Sequence, residues 1–169
     1  MEAWIDYRAR RDGFLALLPL HDCDRCDGCG QRCADGFKVT RDEAAAALRA
    51  YAELTGEERD ALESQPLDIP WPGECSLGAT YRRCRFRDHR GGRCAIYAAR
   101  PTVCRFFGHV GWFPCPIEKV APAGEPAPTL WREYLAMERK TWEEWEAEGV
   151  DPTVGNADLS TPGEALGLP

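Results

Sequence analysis

Cys23, Cys26, Cys29 and Cys33 fall within eleven residues, interleaved with glycine, aspartate and arginine and almost nothing apolar. Such a segment has no hydrophobic period to bury in a helix or a strand. Its chemistry is that of soft-metal ligation by thiolates, with Gly28 and Gly30 letting the backbone approach a bound ion closely. The later cysteines, Cys75, Cys84, Cys94, Cys104 and Cys115, arrive singly, nine to eleven residues apart. Each must be delivered by a different turn or element end. A split site is therefore expected, in which the run 23–33 meets the block 84–104 in space. The candidate ligands are Cys23, Cys26, Cys29, Cys33, Cys84, Cys94, Cys104 and Cys115, with Cys75 left out. They suffice for two four-thiolate sites, or for one site plus structural thiols.

Between Arg82 and Arg105 lie eight arginines and one acid, Asp88, a local charge of +7 in a chain of net charge −7. Cations beside thiols favour the metal-binding thiolate, and donors aimed at cluster sulfurs tune a cluster's potential. Arg100 and Arg105 flank Cys104 and are the expected outer partners of the site, directly or through backbone order. The early spacing, C-x2-C-x2-C-x3-C, resembles the cubane-binding run of bacterial ferredoxins, with Ala34 where that run has proline. Zinc is usually held by one closely spaced cysteine pair and then another further on, and here the cysteines after the early run arrive singly. The expected cofactor is accordingly an iron–sulfur cluster, 4Fe-4S in preference, with zinc as the alternative. His21 and His109 lie near cysteines, but a lone histidine is more often structural.

The elements that must position these residues are short. An amphipathic helix bearing Trp4, Ile5 and Tyr7 is expected to turn at Gly13 and stop at Pro19, packing as a lid on the core. Thr40-Arg-Asp-Glu43 and Thr55-Gly-Glu-Glu58 are capping boxes, predicting helices over 41–54 and from 56 to about 65. Pro66 to Gly73 reads as an irregular crossing pinned by Trp71, because each proline lacks a donor and fixes φ. Residues 121–128 read as a proline-rich linker. A long C-terminal helix is expected over 130–148, with Trp131, Tyr134, Leu135, Trp142 and Trp145 near one face and packed on the core. The expected domains are 1–120, cysteine-rich and metal-binding, 121–149, linker and packed helix, and 150–169, a flexible tail.

Composition sets the outer limits. The net charge of −7 argues against a general nucleic-acid binder, which needs excess positive charge. No stretch approaches 18 consecutive apolar residues, so no membrane span is expected. Charges near Met1 occupy the place of a signal peptide's apolar segment, and a cytoplasmic location follows as the expectation. Nine cysteines in a reducing compartment read as metal ligands or redox thiols before disulfides. No glycine-rich nucleotide motif is present.

Cys26-Asp-Gly-Cys29-Gly-Gln-Arg-Cys33, Cys84-Arg-Phe, Cys94-Ala-Ile-Tyr97, Arg100-Pro101 and Cys104-Arg105 together resemble the CxxCxxCC family, also called the YkgJ-type zinc- or iron-chelating domain. The order and the later block match over about residues 23–115. Arg32-Cys33 stands where the family has a cysteine doublet, and Phe106-Phe107-Gly108 replaces the proline usual after the last Cys-Arg. The resemblance implies metal chelation, and its branch similar to flagellin lysine methylases implies a cluster-bearing domain of a modifying enzyme. The expected fold is a mainly α, small, loop-rich domain organised around the cysteine site. The expected function is electron transfer, or a cluster domain of such an enzyme, with an unknown redox or protein partner. The alternative is a zinc-stabilised interaction module that uses the tryptophan-bearing helix to bind a partner.

Overall fold

The computed structural model describes residues 2–18, 33–70 and 79–150. Cys23, Cys26, Cys29, His21, Trp71, Cys75 and all of the expected tail except Val150 lie outside the described residues. Helix α1 spans Glu2–Ala16 and runs straight through Gly13, where a turn was expected. Tyr7, Arg11, Phe14 and Leu15 are buried and follow one another at helical spacing, so the second apolar run is the last turn of the same face. Helices α2 (Arg41–Ala52) and α3 (Gly56–Glu63) each begin at a complete capping box, on Thr40 with Glu43 and on Thr55 with Glu58.

Three antiparallel hairpins occupy much of the stretch that reads as loop. Strand β1 (Asp68–Pro70) pairs with β2 (Thr80–Arg82), β3 (Arg87–Asp88) with β4 (Arg93–Cys94), and β5 (His109–Val110) with β6 (Phe113–Pro114). Pro70 pairs with Thr80, so part of the expected irregular crossing is a strand. Proline is tolerated there because β1 is an edge and its missing donor leaves no ladder bond unmade on the far side. A 3-10 turn (Tyr97–Ala99) and the short helix α4 (Thr102–Phe106) link the second hairpin to the third.

The expected long C-terminal helix is two helices, α5 (Ala127–Ala136) and α6 (Trp142–Ala147). Met137 is extended, and Lys140 exchanges backbone hydrogen bonds with Val39 at 2.9 and 3.0 Å. A third capping box, Thr141 with Glu144, then opens α6. The break divides the aromatic residues between two cores. Trp142 and Trp145 join Val39, Ala44, Ala47, Phe86, Ile96 and Val150, while Leu130 and Tyr134 join Tyr7, Phe14, Phe106 and Val110.

These cores overturn the expectation of a mainly α domain organised around a cysteine site. Among the described residues, no group of three or more His, Cys, Asp or Glu side chains is set to hold an ion. Arg83, 1 % exposed, ties the end of α3 to the start of the β3–β4 hairpin. Its Nε donates to the Pro66 carbonyl at 2.8 Å, Nη1 to those of Cys84 and Arg87 at 3.1 and 3.0 Å, and Nη2 to those of Leu62 and Gln65, both at 2.9 Å. A guanidinium presents five donors in a fixed fork, and here all of them are used. A single cation thus tethers the two described ends of a connection for which metal ligation was the expected tether.

Candidate metal centre

The backbone brings Cys33 to Cys84 first. Ala34 forms an antiparallel bridge with Arg83, Asp35 N–H donates to the Arg82 carbonyl at 2.7 Å, and Cys84 N–H donates to the Cys33 carbonyl at 2.8 Å. The end of the early run therefore lies alongside the start of the late block, through an isolated antiparallel bridge just past β2. Cys94 closes β4, and the hairpin register sets it opposite Arg87. Cys104 sits in the middle of α4. Four separate local structures thus supply Cys33, Cys84, Cys94 and Cys104.

Their charges act on one another. The Cys104 thiol is pushed well above its ordinary pKa by burial, then by the thiols of Cys84, Cys33 and Cys94, with Arg100 opposing. Cys84 is pushed up to about 12 by burial and by Cys33 and Cys94, while the Phe86 amide two residues on pulls the other way. Cys94 is raised by burial and eased by the Ile96 amide, again two residues on, and by Arg100 and Arg87. An amide donated to the sulfur two residues back favours the charged thiolate. A ligand set must meet at one centre, whereas charge acts over several ångströms. The four thiols form such an electrostatic neighbourhood, although as they stand they do not close on a common point.

The cations divide into distinct roles. Arg100 lies over the Tyr97 ring at 3.5 Å and favours the thiolates of both Cys94 and Cys104. Arg105 instead braces the turn before α4, its Nε donating to the Arg100 carbonyl at 2.8 Å and Nη2 to that of Ala98 at 2.6 Å. Arg87, buried beside Cys94, is a neighbour of the thiols that the sequence did not single out. Arg85 pairs with Glu146 at 2.8 Å and Glu143 at 3.3 Å on the outside of α6.

Cys115 is set by its own turn. Burial pushes its thiol up, but the amides of Ile117, Val120, Lys119 and Glu118 outweigh that and hold it below the ordinary value. Lys119 N–H lies 3.3 Å from its sulfur. His109 is inside β5 at 2 % exposure, and burial followed by Arg100 lowers its pKa. A second residue that sequence reading missed is Glu43, buried beneath α4. Its capping-box role was legible, but its contacts 59 residues away were not.

No curated protein and no solved structure matches the chain. A family profile named CxxCxxCC, described as "Putative zinc- or iron-chelating domain", matches residues 25–142. That match takes in Cys26, Cys29 and Cys33 of the early run, helices α2 to α5, the three hairpins and Trp142 at the start of α6. The chain belongs to the CxxCxxCC family of zinc- or iron-chelating domains.

Proposed function

We propose that this protein chelates one metal centre through the thiolates of Cys33, Cys84, Cys94 and Cys104. The observation that carries this reading is the backbone pairing that sets Cys33 beside Cys84, with the Cys84 amide donating to the Cys33 carbonyl at 2.8 Å, in the surroundings of the buried Cys104, whose thiol is pushed up by burial and then by the other three thiols. Four thiols concentrated in one low-dielectric neighbourhood are unfavourable as anions unless a cation joins them. A soft cation that displaces their protons relieves both burial and mutual repulsion. Arg100 and Arg87 lower the proton affinity of Cys94 and so assist that exchange. Arg105 contributes by holding the backbone on which Arg100 is mounted.

A 4Fe-4S cluster is the favoured occupant, because its corners suit thiolates arriving one by one from separate turns and its net negative charge suits the arginines nearby. Bound there, it would supply one-electron redox chemistry to a redox or protein partner, in electron transfer or within a modifying enzyme. Zinc is the second reading, since four thiolates also satisfy a closed tetrahedral site. The interaction module that would accompany zinc would have to use Leu135 and the partly buried Trp131 of α5, because Trp142 and Trp145 are core residues. The cysteines Cys23, Cys26 and Cys29 belong to the same run as Cys33 and are proposed as additional or exchangeable ligands.

Anaerobic purification from the native host, followed by iron, acid-labile sulfide and zinc analysis, separates the readings. A brown protein absorbing near ~400 nm, with iron and sulfide in equal amounts, is expected. Stoichiometric zinc with neither iron nor sulfide would end the cluster reading and leave chelation standing.

A further inference from the structure

Helix α4 delivers Cys104, yet it has only five residues, begins after Pro101 and receives no side-chain cap from its own N-terminal segment. A helix that short cannot hold its own geometry, and its first amides need acceptors. The acceptor comes from α2. Glu43 Oε1 accepts from the Thr102 amide at 2.7 Å. The same carboxylate completes the capping box of α2, with Oε2 accepting from the Thr40 amide at 3.2 Å. Oε2 also accepts from the Tyr134 hydroxyl of α5 at 2.8 Å. Arg11 of α1 lies 3.5 Å from Oε1 and donates to the Thr102 hydroxyl at 2.9 Å. One carboxylate, 5 % exposed, therefore ties the starts of two helices to each other and both to α1 and α5.

We propose that Glu43 is the positioning residue for Cys104, fixing the short helix that carries this thiol against α2 so that its sulfur faces Cys33, Cys84 and Cys94. The inference rests on the chelation reading but concerns a residue that ligates nothing. Its physical basis is that Glu43 accepts from the first backbone amide of α4, while Arg11 holds only the Thr102 side chain, and Cys104 lies two residues beyond that amide. Without that acceptor, the first turn of α4 must find water or open. Partners that orient ligands typically change metal affinity by about 10- to 100-fold when removed.

Two readouts on Glu43→Ala, Glu43→Gln and Tyr134→Phe test the proposal. The first is the alkylation rate of each cysteine in metal-free protein, resolved by mass spectrometry. The second is cobalt(II) titration, read by thiolate charge-transfer absorption. In Glu43→Ala, Cys104 should alkylate about tenfold faster or more, as a local opening of α4 predicts, while Cys115 keeps its rate. Cobalt affinity should fall by about 10- to 100-fold. Tyr134→Phe removes one donor from Oε2 and leaves the Thr102 bond, so both readouts should stay at wild-type values even if the melting temperature drops. Glu43→Gln keeps an oxygen for the Thr102 amide, and Cys104 should remain protected. The proposal is overturned if Cys104 stays as protected in Glu43→Ala as in wild type, or if all thiols accelerate together. Should Glu43→Ala fail to fold, Glu43→Asp, whose shorter side chain withdraws from the Thr102 amide, takes its place, and Cys104 as protected in it as in wild type overturns the proposal. A wild-type protein that takes up no cobalt would defeat the chelation reading, while the alkylation rates would still decide the role of Glu43.

Discussion

Cys104 and Arg100 are the residues at which charge and burial speak most directly about chemistry. A thiol must lose its proton to ligate, so metal affinity falls as pH falls. Arg100 favours the thiolates of Cys94 and Cys104. Arg100→Met should therefore weaken zinc or cobalt binding by about tenfold and move the whole affinity profile to higher pH, measurable by chelator competition. An unchanged profile would mean that Arg100 serves only the Tyr97 stacking. His109 offers a second pH dependence. Its folded pKa is depressed by burial and Arg100, whereas the unfolded value is about 6.5. The unfolded state thus binds more protons, and this contribution, fully present above about 6.5, is lost as pH falls toward the folded pKa. Urea unfolding between about pH 7.5 and 5.5 should show a smaller loss of stability in His109→Phe than in wild type. At this scale the sequence was partly legible. Arginines beside cysteines were visible, but which ones face the thiols depends on the β3–β4 register, which brings Arg87 to Cys94 and leaves Arg105 bonded to backbone.

Elements were readable where a local signal and a local outcome coincide. Thr40 with Glu43 and Thr55 with Glu58 announced α2 and α3, and both boxes form. The same signal at Thr141 with Glu144 went unread, because Leu135 and Trp142 lie seven residues apart and keep an apparently continuous helical face across the gap. Tertiary pairing of Lys140 with Val39 then decides for a break. Thr141→Ala should cost about 1 kcal/mol of stability without joining α5 to α6, and circular dichroism with urea unfolding would show it. The two-residue strands β3 to β6 carry no period that a sequence pattern can reveal. Arg83 explains why so short a set of strands holds its place. Arg83→Met leaves five carbonyls without their donor and should destabilise the fold by about 3–5 kcal/mol. Arg83→Lys should rescue little, since an ammonium lacks the fork that reaches all five.

On the scale of the whole molecule, two apolar clusters, Arg83 and Glu43 account for the fold before any metal is considered. The sequence suggested the reverse, that the core needed the cysteines, because neither Arg83 nor Glu43 looks different from its charged neighbours until its long-range partners are known. No described helix is long and apolar enough to cross a membrane. Metal-stripped protein should keep its helical dichroism and a cooperative thermal transition, with metal raising the melting temperature by mass action. Collapse on chelation, as in a zinc finger, would contradict this. The central proposal is that Cys33, Cys84, Cys94 and Cys104 share one metal without Cys115. Its most direct test is the metal and sulfide content per chain, after anaerobic purification, of the five single cysteine-to-serine variants. The account predicts a stoichiometric content in wild type and Cys115→Ser, and its loss in each of the other four. Full content in Cys104→Ser, or loss only in Cys115→Ser, would contradict it.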